Sequence, residues 1–207
     1  MTANSNKKMI EEQVRARGVK DENVLKAMQA IDRSIFVDKQ YRDLVYADRP
    51  LPIGNNQTIS QPYIVGFMTE KLDINSDHKV LEVGSGCGYQ TAILCKLSKR
   101  VYAIDIIEKL VEKARENLAQ LDLNNYELKS GNGREGWKEK APFDRILVAA
   151  AASNYPDNLI AQLKMGGKMI LPYGKGFSQN LVLINKTETG IEKERILSVR
   201  FVPLVAG

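Results

Sequence analysis

Cysteine and histidine are nearly missing from this 207-residue chain, which holds two of the first and one of the second. That scarcity argues against a disulfide framework and against a His/Cys metal cluster, so Cys87 and Cys95 are expected to be reduced thiols and no metal is expected. The lone His78 lies in the polar turn "NSDHK", where it is expected to be solvated and idle. No apolar run approaches the roughly 18 residues of a membrane span. The opening "MTANSNKKMIEEQ" lacks the apolar centre of a secretory signal, and a cytoplasmic location is the expectation. Lys and Arg number 30 against 25 acids, for a net charge of +5, but they are scattered and form no basic run. This distribution reads as ordinary solvation, with no nucleic-acid partner. Internal repeats and low-complexity linkers are also missing.

What is present is an ordinary globular composition, 43% hydrophobic and 27% charged, at a length that suits one domain. Residues 1–78 read as helices and loops. Ile10, Val14, Val24, Leu25 and Met28 fall at helical spacing, with Asp21 placed to cap a helix. From residue 79 the pattern becomes strand and helix in alternation. "KVLEV", "RVYAID", "YELKS" and "FDRILVAA" read as strands, with helices over about Tyr89–Ser98 and Glu108–Leu121 between the first three. A helix in "PDNLIAQLK" and a strand in "GKMILPY" follow, and "NLVLINKTE" with "RILSVRFVPL" reads as a closing antiparallel pair. The predicted fold class is α/β: a Rossmann-like, doubly wound, mostly parallel sheet with helices on both faces, a helical N-terminal extension and antiparallel C-terminal strands.

The stretch "LEVGSGCGYQ" puts Gly84, Gly86 and Gly88 at the first strand-to-helix turn, where α/β folds bind ligands. The pattern is G-x-G-x-G. A dinucleotide fingerprint needs G-x-G-x-x-G, and a nucleoside triphosphate loop needs G-x-x-x-x-G-K-[ST]; neither occurs here. A ligand without a diphosphate follows. Asp105 ends the next strand about 20 residues beyond the first glycine, where a carboxylate can accept hydrogen bonds from vicinal ribose hydroxyls. Glu82, the glycines and Asp105 together suggest an adenosine-bearing ligand without phosphates. The competing reading is a glycine turn with an unrelated acid at a strand end.

"VLEVGSGCGYQTAIL" resembles the first motif of the class I S-adenosylmethionine-dependent methyltransferases. "IGNNQTISQPYIVGFMTEKL" is similar to a segment specific to the protein-L-isoaspartate O-methyltransferase family, and "SIFV", "YADRPLPIG", "GREGWKEKAPFDRILVAAAA", "LIAQLKMGGKMILPYG" and "VRFVPLV" follow that family in order. The resemblance implies a single methyltransferase domain over 1–207, in which residues 1–78 cover cofactor and substrate and 79–207 form the cofactor-binding core. It implies methyl transfer from S-adenosyl-L-methionine to the free α-carboxylate of L-isoaspartyl residues in damaged proteins and peptides, by a monomer. The ester then cyclises unaided to a succinimide, which hydrolyses partly to normal aspartate. An ordinary carboxylate is ionised at pH 7, so this chemistry requires no general base and no Ser-His-Asp set.

By the same resemblance, Gly84, Ser85, Gly86 and Gly88 bring the backbone close to the methionine part of the cofactor, and Glu82 orients the loop or, indirectly, the cofactor's amino group. Asp105 holds the ribose, and Ile106 lies against the adenine or in the core. The family carries Asp-Gly where this chain has Asn132-Gly133, so an adenine contact would run through an uncharged amide oxygen. Gln57, Thr58 and Ile59 close over both ligands, and Gln179 is a further candidate. Ser60 is the expected reaction-centre residue. Its position before a Pro62-initiated helix also suits an N-cap, so its hydroxyl serves either the helix backbone or a bound carboxylate.

Other functions stay open on the sequence. A nucleic-acid methyltransferase would share the glycine loop, yet "DRILVAAAAS" has alanines where amino-group methylases carry an Asn-Pro-Pro-Tyr type motif, and neither cysteine follows a proline. A small-molecule carboxyl or hydroxyl methyltransferase, and a cofactor-binding protein without turnover, are the remaining alternatives.

Overall fold

The computed structural model describes residues 2–205. Helix α1, Thr2–Met9, continues through a π-turn over Ile10–Val14 and a 3-10 turn over Arg15–Arg17, and stops at Gly18. Helix α2, Glu22–Ala30, starts where expected, because Asp21 accepts the backbone N–H groups of Asn23 at 2.8 Å and Val24 at 3.3 Å. Two further 3-10 turns, Arg33–Phe36 and Lys39–Leu44, lead to a hairpin that the sequence reading took for loop. Its strands are β1, Leu51–Gly54, and β2, Gln57–Ile59. Asn55 and Asn56 join them with φ of 52° and 58°, the paired positive values that a tight hairpin turn needs. Helix α3, Pro62–Leu72, opens on its proline.

The core holds β3 (Lys79–Val83), α4 (Tyr89–Leu97), β4 (Arg100–Asp105), α5 (Glu108–Leu118) and β5 (Tyr126–Ser130). It continues with β6 (Phe143–Val148), α6 (Asp157–Ala161), β7 (Leu163–Lys175), β8 (Ser178–Thr187) and β9 (Gly190–Val199). The seven strands run in the order β5-β4-β3-β6-β7-β8-β9. From β5 to β7 every pairing is parallel, and the last two are antiparallel. Strand order reverses at β3, and the glycine loop leaves its C-terminal end. That is the crevice where open α/β sheets bind ligands.

Alternation along the strands covers both faces. Val80, Val101, Leu147 and Ile170 meet Met68 and Leu72 of α3 and Leu94 of α4. Leu81, Ile146, Met169 and Val182 turn the other way and pack with Leu159 of α6. Each such aliphatic side chain contributes about 1.5–3 kcal/mol on full burial. A third buried cluster runs from Ile10 and Met28 through Ile53 and Ile59 into Ile93 of α4 and Leu110 of α5. The N-terminal region and the sheet region therefore share a core.

Three sequence expectations are corrected. The helix in "PDNLIAQLK" ends at Ala161, because β7 begins at Leu163 to pair with Phe143 of β6. The closing strand ends at Val199, and "RFVPL" leaves the sheet. His78 is half-buried and accepts the N–H of Asn75 at 3.1 Å through Nδ1, and burial pushes its pKa below the ordinary value.

Candidate ligand site at the end of strand β3

A cleft opens above the C-terminal ends of β3, β4 and β6, with the hairpin on one side. Gly84, Ser85 and Gly86 form its floor. The amides of Gly84 and Ser85 both donate to the Ile104 carbonyl, at 2.7 and 3.2 Å, which bends the chain out of the sheet. Gly84, Gly86 and Gly88 have φ of 90°, 53° and 91°, values that side-chain-bearing residues avoid. A Cβ on Gly86 would also sit 3.1 Å from Ile53 Cδ1, so the hairpin presses directly on the loop.

Asp105 anchors this loop from the end of β4. Its Oδ2 accepts the N–H of Gly86 at 2.8 Å and its Oδ1 accepts that of Ile107 at 3.0 Å. The carboxylate lines the cleft at 8% exposure, and each oxygen keeps a lone pair for a further donor. Glu82 is fully buried. One of its oxygens accepts the Thr91 hydroxyl at 2.5 Å while Oε1 has no partner, and burial pushes its pKa up to about 8. The Ser85 and Tyr89 hydroxyls are also buried without partners. All three residues line the same cleft. Buried polar atoms are normally satisfied, and the Glu82 and Ser85 orphans beside the glycine loop suit a polar ligand there; the Tyr89 hydroxyl lies by Arg33, and two more orphans, Asn6 Oδ1 and Gln13 Oε1, lie outside the cleft.

The structure brings together most of the sequence candidates. Gln57, Thr58, Ile59, Ser60, Glu82, Gly84, Ser85, Gly86, Asp105, Ile106 and Gly133 all line the cleft. Ser60 does not cap α3: among the described residues its hydroxyl makes no hydrogen bond, and the first turn is served by Asp48, which accepts the Tyr63 backbone N–H at 3.3 Å and the Gln61 side-chain Nε2–H at 2.8 Å. Gly88 lies behind the loop, starting α4, where a Cβ would meet Leu118 and Ala114 at 3.2 and 3.3 Å. Asn132 is also outside the cleft, its oxygen accepting the Arg134 N–H at 3.0 Å to cap a 3-10 turn. Gln179 is a clamp between backbones. It donates to the Gly176 and Phe201 carbonyls at 3.1 Å each and accepts the Phe201 N–H at 2.7 Å.

Sequence reasoning missed the C-terminal wall, where Phe201, Val202, Pro203, Leu204 and Val205 line the cleft. This segment is held against the end of β6 through Ala151, which donates to the Val202 carbonyl and accepts the Leu204 N–H, both at 2.8 Å. Its signal was the apolar run "FVPLV" interrupted by a proline, which cannot continue a paired strand. Lys113 of α5 was also missed; it donates to Asp38 at 2.7 Å and to the Ile53 carbonyl at 3.2 Å, fastening the hairpin to the core. Among the described residues no group of three His, Cys, Asp or Glu side chains could hold a metal ion, and no helix is long and apolar enough to cross a membrane.

Comparison with known proteins bears on the whole chain, the covering hairpin and C-terminal wall included. A Geobacter metallireducens protein-L-isoaspartate O-methyltransferase is 47% identical over 200 residues, covering 96% of this chain and 93% of its own. The Ruegeria sp. enzyme of the same name is 48% identical over 195 residues, covering 94% and 91%. A Plasmodium falciparum protein assigned as a protein-L-isoaspartate O-methyltransferase, crystallised with S-adenosyl-L-homocysteine, superposes with a TM-score of 0.87 at 28% identity, covering 98% of this chain and 99% of its own. Residues 4–207 match the model of the protein-L-isoaspartate(D-aspartate) O-methyltransferases, and the chain belongs to that family.

Proposed function

We propose that the protein transfers a methyl group from S-adenosyl-L-methionine to the free α-carboxylate of L-isoaspartyl residues in damaged proteins and peptides, which initiates their repair through a succinimide. The observation that carries the cofactor reading is the pair of orphaned buried oxygens, Glu82 Oε1 and the Ser85 hydroxyl, beside a glycine loop that Asp105 anchors. They suit a ligand with hydrogen-bond donors and little negative charge. Asp105 would hold the ribose hydroxyls, Glu82 and the 84–86 backbone the amino-acid end, and Ile106 with Gly133 the base. When bound, the cofactor supplies an electrophilic methyl group on a sulfonium.

The remaining chemistry asks little of the protein. The substrate carboxylate is already ionised at pH 7, and the residues lining the cleft include no histidine and no lysine. Orientation and exclusion of water supply the rate, with well-aligned partners gaining on the order of 7 kcal/mol or more. Gln57, Thr58 and Ile59 close the cleft from above, and the unpartnered Ser60 hydroxyl is free to donate to the substrate carboxylate. The chain acts as one methyltransferase domain, with residues 1–78 covering the site that 79–207 build. The shared buried cluster supports that reading. Cys87 and Cys95 are free and buried, which suits a reducing compartment, and the cytoplasm is the proposed location.

The test measures base-labile methyl ester on paired peptides that differ only in an L-isoaspartyl or aspartyl linkage. Labelling confined to the isoaspartyl member is expected. Equal labelling of both would sink the substrate assignment and leave the cofactor reading standing.

A further inference from the structure

Arg33 is completely buried, on the 3-10 turn that precedes the hairpin. Among the described residues it has no ion-pair partner; its guanidinium instead donates to three backbone carbonyls. Nε reaches Val45 at 3.0 Å, one terminal nitrogen reaches Ser60 at 2.8 Å and the other reaches Arg49 at 3.4 Å. The guanidinium carbon lies 5.3 Å from the ring centroid of Tyr89, the cleft residue that follows the glycine loop.

A buried cation with no ion pair in contact, Asp48 being felt only at longer range, is costly, and an apolar side chain of similar volume often serves stability as well or better. What an apolar residue cannot supply is a rigid fork that fixes three points of one segment relative to each other. One of those points is Ser60. Its hydroxyl has no partner of its own within the described residues, so its location depends on where its backbone is held.

We propose that Arg33 is a positioning residue for methyl transfer: by gripping the Ser60 carbonyl beside Tyr89, it sets where the Ser60 hydroxyl meets the substrate carboxylate. The proposal rests on the reading of Ser60 as the residue that orients that carboxylate. A merely structural Arg33 would hold the 45–60 segment with no particular dependence on the Ser60 hydroxyl.

The experiment is a double-mutant cycle on the full-length enzyme with an isoaspartyl peptide, combining Arg33→Lys, which keeps the charge but not the fork, with Ser60→Ala. Turnover, peptide KM, cofactor affinity by calorimetry and thermal melting are read on each protein. Arg33→Lys is expected to lower turnover by about tenfold, one decade per 1.4 kcal/mol of barrier, with cofactor affinity within about twofold of wild type. Adding Ser60→Ala should cost no more than about another threefold, because both changes remove one interaction. Losses that multiply would overturn the proposal, and so would cofactor affinity falling as far as turnover. Arg33→Gln replaces Arg33→Lys if the lysine variant does not fold. Failure of both to fold at low temperature would make Arg33 a stability residue and also overturn the proposal. A fully active Ser60→Ala enzyme would remove the role of Ser60 and the proposal with it. Absence of methyl transfer by the wild-type enzyme would instead remove the substrate reading, and it would be seen before any variant is compared.

Discussion

The Asp105 carboxylate accepts the backbone N–H of Gly86 at 2.8 Å, so the acid at the end of β4 and the glycine loop after β3 form one unit. An acid read from the sequence as a ligand residue is therefore also a scaffold residue. Asp105→Ala removes the acceptor for both Gly86 and Ile107. Hydrogen bonds to a charged group contribute about 1.5–3 kcal/mol each, so cofactor affinity should fall at least tenfold and the melting temperature by several degrees. Asp105→Asn keeps one acceptor oxygen and should fall between. Calorimetric titration with thermal melting decides it, and unchanged affinity in folded Asp105→Ala would take this residue out of the site.

Ser60 and Asp48 should separate catalysis from capping. Because Asp48 serves the first turn of α3, Asp48→Ala should lose about 1 kcal/mol and lower the melting temperature by about 2–4 °C with turnover of folded protein little changed. Ser60→Ala should do the reverse, keeping its melting temperature and losing turnover by a factor of about ten or more. Ser60→Asp places a negative charge beside a negatively charged substrate and should be folded and nearly inactive. A stable, active Ser60→Asp enzyme would remove Ser60 from the reaction centre.

Much of this site could be read from local signals. The three alternate glycines behind "KVLEV" and the acid ending "RVYAID" are fixed by strand-turn-helix geometry within about 25 residues; Gly84, Gly86 and Asp105 line the cleft, while Gly88 lies behind the loop. The hairpin had a local signal too. Asn55-Asn56 between two short alternating runs suits a turn with paired positive φ, but strands of four and three residues carry too little periodicity to stand out. The C-terminal wall had only the proline-broken apolar run "FVPLV", which does not say where that segment packs. Phe201 and Leu204 reach the cleft because Ala151 and Gln179, distant in sequence, hold their backbone. Gln179 was placed in the site by likeness of its segment alone, and its amide proves to be used up on backbone groups. Arg33 could not be read at all, since a sequence does not reveal that a charged side chain in "DRSIF" will be wholly enclosed.

Glu82 should leave a mark on the pH dependence of stability. Its pKa rises from 4.5 to about 8 on folding, because burial disfavours the charged form. Between these values the folded protein holds a proton that the unfolded chain has released. Stability from this group is therefore fully present below about pH 4.5 and is lost as pH rises through about 8. The loss approaches about 1.4 kcal/mol per pH unit within that window. Glu82→Gln cannot titrate, and its melting temperature, measured without ligand, should fall less than that of wild type between pH 6 and pH 8. Parallel curves for the two proteins would mean that Glu82 is ionised in the folded enzyme.

Gly133 is a test of close packing at the edge of the cleft. A Cβ built there would stand 2.4 Å from Val83 Cγ1, at the end of the central strand, whereas its backbone φ is one that alanine can adopt. The penalty for Gly133→Ala is thus a collision, with no contribution from backbone strain, and overpacking of this kind costs about 1–3 kcal/mol. Because both residues line the cleft, the displaced atoms should also reduce cofactor affinity. Val83→Ala removes the colliding methyl groups and on its own leaves a cavity, which is destabilising in its turn. Combined, the two changes exchange a methyl position between neighbours. The double variant should melt higher than the sum of the single losses predicts, by about 1 kcal/mol or more of favourable coupling, and should recover part of the cofactor affinity that Gly133→Ala loses. Additive losses in melting and affinity would show that the contact between Gly133 and Val83 does not set the depth of the cleft.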